Sequence, residues 1–430
     1  VDIPIKVNAG TSFGHQSTRC NTRKAVQFLL TNATVVLPDR VIEEGWVAIE
    51  RGRISAVGRG SHPRSATIPQ LDLAGAYLLP GLIDLHCDAI EKLVQPRPGV
   101  EIEIGVALHA ADRLLLGCGV TCQFHALSLD DAEFGVRSDR FVHDFLHRLM
   151  TEQHCGARHL VHARVEISSQ HGLEALKAIL GHPLLRLVSI MDHSPGQGQY
   201  TTEAAFRAYV AQTTGRSATE IDEILSRKRA AQKDLPERIK QVIEWATRYG
   251  LPVASHDDDT PEKVSQWVEY GVRIAEFPTT LHAAQAAHAA GLAVGMGAPN
   301  VLRGKSSGGN LSALTAIEAG VVNWLCADYY PASLLPVIFR LADRGTLSLP
   351  AAVALISLNP ARAVGLDHLI GSIQPGRIAD LIVVRRMPDP VVQQVFVGGR
   401  PVYTWAEHIE PLPFTSHHPL PNHLTPPRSD

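Results

Sequence analysis

Eight short apolar runs alternate with longer helical stretches, nearly every run closes on a polar or ionisable residue, and a hairpin-like flank lies on either side of them. Together these observations predict an α/β fold, a (β/α)8 TIM-like barrel with a small composite β-sandwich domain formed by both chain ends. A length of 430 residues suits one large barrel with a satellite domain.

Taken in order, residues 1–24 lack the contiguous apolar core of a secretory signal and read as an irregular N-terminal extension. From 25 to 79 the chain is β-rich: QFLLTNATVVLP, GWVAIERGRISAVG and YLLPG, with alternation in WVAIE and RISAV, predict hairpins and the first part of the sandwich. The barrel is expected over 80–370. Its strands are LLPGLIDLH, GVTCQFHALS, HLVHARVEI, LRLVSIMDH, LPVASHDDD, VRIAEFPTT, LAVGMGAPN and VNWLCADYY. Eight strands close such a barrel, and its site lies where their C-terminal ends converge. After the fourth strand, 202–240 forms an unusually long helical insertion carrying Arg227, Lys228, Arg229 and Lys233. A charge run of this kind is more often a solvated helix face than a lid over an anionic substrate. Residues 371–405 (GSIQPGRIADLIVVRR, VVQQVFVGGRPVY) return to β character and complete the sandwich, and 406–430 is a Pro/His-rich tail.

Composition narrows the function. Hydrophobic residues at 45% and charged residues at 19% fit a well-packed soluble enzyme. Lys+Arg 40 against Asp+Glu 43 leaves a net charge of −3, so no global field favours nucleic acid or an anionic membrane. No apolar stretch reaches the length of a membrane span. The six cysteines form no CxxC pair and several sit in apolar runs such as LGCGVTCQF, the pattern of buried thiols in a reducing cytoplasm. The 21 histidines are many, and some stand beside carboxylates at strand ends.

The strongest local signal is Asp84-Leu85-His86-Cys87-Asp88 at the end of the first barrel strand. Positions two apart on a strand share a side, so His86 and Asp88 are expected to grip one ion together. Imidazole beside carboxylate suits zinc, manganese or iron better than calcium. Glu166 closes the third strand, His193 the fourth, His256 the fifth and Asp328 the eighth. Each alone has a bland reading as a hydrogen-bonded core or rim residue; as a set at matching strand ends they predict a metal site. The seventh-strand loop GAPNVLRGKSSGGN, with Asn300, Arg303, Lys305, Ser306 and Ser307, reads either as a phosphate cradle of glycine-exposed N–H groups and local positive charge or as a solvated Gly/Ser loop.

PGLIDLHCD resembles the opening motif of the amidohydrolase superfamily, and GSIQPGRIADLIVV its closing strand. MDHSPGQGQY, SHDDDT, AEFPTT, GMGAPNVLRGKSSGGN and DYYPASLL sharpen this to a resemblance, over about Ala25 to Tyr403, to the phosphonate-metabolism (PhnM-type) amidohydrolases. The resemblance implies a hydrolase of the carbon–phosphorus lyase pathway that converts α-D-ribose 1-methylphosphonate 5-triphosphate to the 5-phosphate and pyrophosphate. It implies one or two divalent ions, zinc first and manganese or iron next, with His86, Asp88, Glu166 and His256 as ligands and Asp328 as the carboxylate that handles the proton of the nucleophilic water. Three departures stand out, the first two being that the first motif is HxD rather than HxH and that no lysine ends the fourth strand to bridge the ions, leaving Glu166 as the substitute. The sixth strand also lacks the usual histidine, so Glu276, His282 and His193 are the candidates for the second ion. The expected partner is a small ribosyl triphosphate, with a homodimer as the assembly. The competing chemistry is that of a metal-dependent amidase or cyclic-amide hydrolase, deacetylase- or dihydroorotase-like, on the same scaffold. A catalytically dead relative that only binds partners is the third reading, and the presence of His86 and Asp328 weighs against it.

Overall fold

The first flank is built by strand alternation. In the computed structural model, which describes residues 27–63, 67–97, 99–130, 139–152, 156–194, 202–306, 309–386 and 388–405, five strands come first: β1 (Gln27–Val36), β2 (Val41–Glu50), β3 (Arg53–Arg59), β4 (Gln70–Asp72) and β5 (Tyr77–Pro80). The readings placed on residues 1–24, on 406–430 and on Ser307 lie outside the described residues. On β1, Phe28 and Leu30 pack with Val47 and Ile49 of β2 on one face, while Leu29 packs with Trp46 and Ala48 on the other. Both faces are therefore covered, as period-two alternation of large apolar residues requires. The two-residue turn between β2 and β3, Arg51-Gly52, has both φ values positive (52° and 75°), the geometry that suits the twist of a tight hairpin.

Gly81 then carries the chain from β5 into the barrel. A Cβ there would lie 2.2 Å from Thr121 Oγ1, so no larger residue fits the crossing. Eight parallel strands follow: β6 (Leu82–Cys87), β7 (Val120–Leu129), β8 (Arg158–Glu166), β9 (Leu185–Met191), β10 (Val253–His256), β11 (Ile274–Glu276), β12 (Ala293–Gly297) and β13 (Trp324–Cys326). They pair in sequence order from β6 to β13. The seam between β13 and β6 is stitched at the top, where Cys87 bridges Asp328, Asp328 N–H donates to the His86 carbonyl and Asp88 N–H to the Asp328 carbonyl, both at 2.9 Å. Asp84 adds a side-chain stitch, its Oδ1 accepting from Ala327 N at 3.0 Å. These bonds make a near-closed (β/α)8 barrel, as the strand pattern predicts.

The barrel interior has two levels. Ile83, Leu85, Cys122, Phe124, Leu160, Leu187, Ala254, Ile274, Trp324 and Cys326 form one apolar core with Ala361, Leu366 and Ile370. Above this layer, toward the C-terminal strand ends, the interior becomes polar. Outward-facing Val161, Ala163 and Val165 pack instead against Leu173, Leu176 and Val242 of the surrounding helices. The insertion after β9 contains the helices Glu203–Thr214 and Ala218–Ala231, which share their own apolar contact through Phe206, Val210, Ile221, Ile224 and Leu225.

The second flank supplies β14 (Leu381–Arg386), β15 (Pro390–Val397) and β16 (Arg400–Thr404). β14 runs antiparallel to β5, with Leu381 opposite Pro80 and Val383 opposite Leu78. This pairing joins the two chain ends into one continuous eight-stranded sheet, ordered β16-β15-β14-β5-β1-β2-β3 with β4 against β1, where the sequence suggests a sandwich.

Candidate metal centre

Strand alternation explains the polar upper level. On β8, Leu160 belongs to the apolar layer, so His162, Arg164 and Glu166 continue the same inward row. On β9 the inward residue is Ser189, on β10 His256 and on β11 Glu276, all buried. On β6, a register irregularity between Asp84 and Cys87 interrupts the alternation, and the His86 ring lies 5.2 Å from that of His162, 5.7 Å from that of His256 and 4.9 Å from that of Phe277. Asp257, Phe277 and Asp328, following β10, β11 and β13, all have positive φ (56°, 53° and 57°), so three strand ends carry backbone strain at this mouth.

Two groups of three side chains are placed to hold an ion. His86, His162 and Glu276 each bring one donor atom within 4.8 Å of the others, as do His193, His256 and Asp257. The groups adjoin through the His86–His256 ring contact. Their hydrogen bonds set the tautomers. His162 Nδ1 faces the Leu85 carbonyl at 3.0 Å, an acceptor only, so Nδ1 carries the proton. Its Nε2 lone pair then points to the Ser189 hydroxyl at 2.9 Å, with Glu276 Oε2 at 3.7 Å. His193 Nδ1 lies 3.0 Å from Glu166 Oε2 and His256 Nδ1 lies 3.2 Å from Asp257 Oδ2. Carboxylates or carbonyls on one ring nitrogen leave the other to coordinate. Burial holds His162 well below the ordinary imidazole range and His256 below it, so both rings are neutral at pH 7.

The donors fit a divalent ion on two grounds. His256 Nε2 and both Glu276 carboxylate oxygens are buried with no partner in hydrogen-bond geometry among the described residues. In addition, two imidazoles with one carboxylate in each group is a donor set for zinc, manganese or iron. The local field calls for cations as well. Burial pushes Glu276 well above the carboxylate range, and the charges of Asp257 and Asp328 add to the push. Asp328 is raised to about 7 by burial and then by Asp88.

Among the residues expected from sequence, His86, His193, His256 and Glu276 enter these groups. The others take different places. Asp88 lies outside both groups: β6 ends at Cys87, and Asp88 has already left the strand, half-buried at the N-cap of the helix Ala89–Val94 with φ −101° and ψ 8°. Glu166 is also outside both groups. Its Oε1 accepts from Ser168 and pairs with Lys228 Nζ at 3.2 Å, and its Oε2 accepts from His193, so it orients His193. Burial alone would raise Glu166, but the Lys228 ammonium and the His193 contact hold it far below the carboxylate range. Asp328 belongs to neither group and faces the space left by Gly297, where a Cβ would lie 3.5 Å from its Oδ2. His282 is exposed on the helix Leu281–Ala289.

The seventh-strand loop is anchored through Asn300. Both amide atoms of Asn300 are spent on backbone, donating to the Leu311 carbonyl and accepting from Ala313 N at 3.0 Å each, which ties the loop ends together. Arg303 and Lys305 are exposed and Ser306 is half-buried. In the insertion, Arg227, Arg229 and Lys233 are exposed, whereas Lys228 is buried against Glu166. Sequence reasoning missed His162, Arg164 and Asp257, and it placed Lys228 in a charge run without its burial against Glu166. The available signal was H-x-R-x-E on β8, whose parity the apolar Leu160 fixes.

A (β/α)8 barrel with adjoining histidine–carboxylate groups at its strand ends defines the metal-dependent hydrolase class to which the amidohydrolases belong. The chain is a member of the Amidohydrolase family, matching it over residues 77–402. It is 32% identical over 384 residues, 87% of this chain and all of the relative, to the alpha-D-ribose 1-methylphosphonate 5-triphosphate diphosphatase of Escherichia coli K12. It is 24% identical over 80% of its length, and 85% of the relative, to an imidazolonepropionase of Chloroflexus aggregans. Among solved structures, N-acetylglucosamine-6-phosphate deacetylase from Pasteurella multocida (TM-score 0.59, 13% identity, 87% of this chain and 99% of that one) and a Xaa-Pro dipeptidase (TM-score 0.60, 14% identity, 88% and 100%) share the fold.

Proposed function

We propose that this chain hydrolyses α-D-ribose 1-methylphosphonate 5-triphosphate to the 5-phosphate and pyrophosphate, the reaction of the carbon–phosphorus lyase pathway. The observation that carries this reading is the match to the Escherichia coli diphosphatase over that relative's whole length. The two three-residue groups would hold one or two divalent ions, zinc by preference with manganese or iron as alternatives. When bound, such ions supply Lewis-acid polarisation of phosphoryl oxygens and acidify water.

The chain's own residues do the rest. Glu166, Asp257 and the Leu85 carbonyl hold the three imidazoles in the coordinating tautomer. Asp328, raised to about 7, exchanges a proton readily near neutrality and stands at the mouth beside Gly297, so it takes the proton of the attacking water. Among the described residues, no helix is long and apolar enough to cross a membrane. Cys87, Cys118, Cys122 and Cys326 are free thiols, which supports placing the enzyme in the cytoplasm.

The deciding experiment incubates purified, metal-loaded protein with ribosyl triphosphates and, separately, with N-acyl and cyclic amides. Pyrophosphate release without amide cleavage is expected; amide cleavage without pyrophosphate release overturns the proposal. Asp328→Asn is expected to lower turnover by about 100- to 10,000-fold with metal content intact, and near-normal turnover removes Asp328 from proton transfer.

A further inference from the structure

Arg164 is the one inward residue of β8 that none of these roles accounts for. It sits between His162 and Glu166 on the same strand face and is only 7% exposed. Its Nε is fully buried, and no hydrogen bond or ion pair joins its guanidinium to another described residue. It therefore stands between His162, a member of one candidate ligand group, and Glu166, whose Oε2 lies 3.0 Å from His193 Nδ1 of the other.

An arginine cannot shed its proton to escape burial, so a guanidinium stripped of most of its hydration gains strongly from an anion that reaches it. The carboxylates near it are outside ion-pair distance, and cations in the two groups would draw on those same carboxylates. An anion is the partner that this charge can still recruit. The planar fork of a guanidinium matches two oxygens of a phosphate. By contrast Arg303 and Lys305, the loop cations that the sequence singles out, are exposed.

We propose that Arg164 is the anion-binding residue of the barrel mouth, receiving the oxygens of a phosphate or pyrophosphate group against the metal ligands. The identity of the substrate that brings this group rests on the diphosphatase reading; the anion site itself does not.

Inorganic pyrophosphate is the probe, titrated calorimetrically into metal-loaded wild type, Arg164→Met and Arg164→Lys, with inorganic phosphate as a second arm. Arg164→Met is expected to weaken pyrophosphate binding by about 100-fold and Arg164→Lys by about 10-fold, metal content being unchanged. Tighter binding of pyrophosphate than of phosphate assigns the site to the phosphoanhydride; equal binding of both assigns it to a single phosphate group. The ligand-free melting temperature of Arg164→Met should equal or exceed wild type, since an unpaired buried charge has been removed. Should Arg164→Met fail to accumulate, the Arg164→Lys titration decides alone. Pyrophosphate affinity within twofold of wild type in the variants overturns the proposal, and a fall in melting temperature at unchanged affinity reduces Arg164 to balancing the carboxylates. Arg164-dependent pyrophosphate binding in a protein that cleaves only amides keeps the anion site and discards the diphosphatase reading; triphosphate hydrolysis insensitive to Arg164 does the reverse.

Discussion

The ion pair between Lys228 and Glu166 can be tested quantitatively. Lys228 Nζ lies 3.2 Å from Glu166 Oε1 with side chains 4% and 3% exposed, and it also donates to Ser168 Oγ at 3.2 Å. At an effective dielectric of 20, two unit charges at that separation attract by about 5 kcal/mol. Most of this offsets the loss of hydration of both ions, so the pair as a whole adds little stability. Removing one partner is another matter. Lys228→Met leaves the Glu166 carboxylate buried with only Ser168 and His193 to stabilise it, which is expected to cost about 3–5 kcal/mol. The helix Ala218–Ala231 would lose its charged anchor to the end of β8, although Arg238, donating to the Ile167 and Ser168 carbonyls at 3.2 and 3.0 Å, still tethers the next helix. Urea unfolding midpoints at pH 7, measured on metal-free protein so that ion binding does not add to the difference, read this cost. The double variant Lys228→Met with Glu166→Gln should recover more than half of it, because no charge is left unpaired. A single variant within about 1 kcal/mol of wild type, or a double variant no better than the single, refutes the reasoning.

The two ligand groups predict metal content directly. His256→Ala and Glu276→Gln should each weaken ion retention by at least about tenfold after dialysis, measured by elemental analysis, while His282→Ala, at an exposed position, should leave it unchanged. A separate network lies outside the barrel, where Asp112 accepts from Gly156 N and Ala157 N at 2.9 Å and from His159 Nε2 at 3.0 Å. Burial pushes Asp112 up, but His159 and the two amides together bring it below its ordinary value of 3.8. A depressed carboxylate stabilises the fold above its unfolded pKa and loses that contribution as pH falls through the folded one. Asp112→Asn is therefore expected to cost about 1–3 kcal/mol, a gap that is constant from neutrality to about pH 4 and closes below it in pH-dependent thermal melts.

The barrel was readable in the sequence because each strand is an apolar run closed by a polar residue, and all eight runs proposed became neighbours in order. The composition of the site was only partly readable, for three physical reasons. The HxD pair assumes strand geometry through Asp88, whereas β6 ends at Cys87 and Asp88 turns into the N-cap of the next helix. His162 and Arg164 were hidden because the inner face of a barrel strand changes from apolar to polar partway up, so HARVE looks like strand interior until Leu160 is known to face the core. Lys228 was hidden by its neighbours: in RKR the charge run dominates, yet Ile221, Ile224, Leu225 and Lys228 follow the spacing of one buried helix face. Helical period, carried one turn further than the apolar residues, places the ammonium in the buried stripe. Such a position is favourable opposite a buried carboxylate, and the strand-end Glu166 supplies it, pairing with Lys228 through one oxygen and with His193 through the other. Arg164 has no such carboxylate within ion-pair distance among the described residues, and that asymmetry between two buried cations beside β8 distinguishes a charge held by the fold from one free to take an anion.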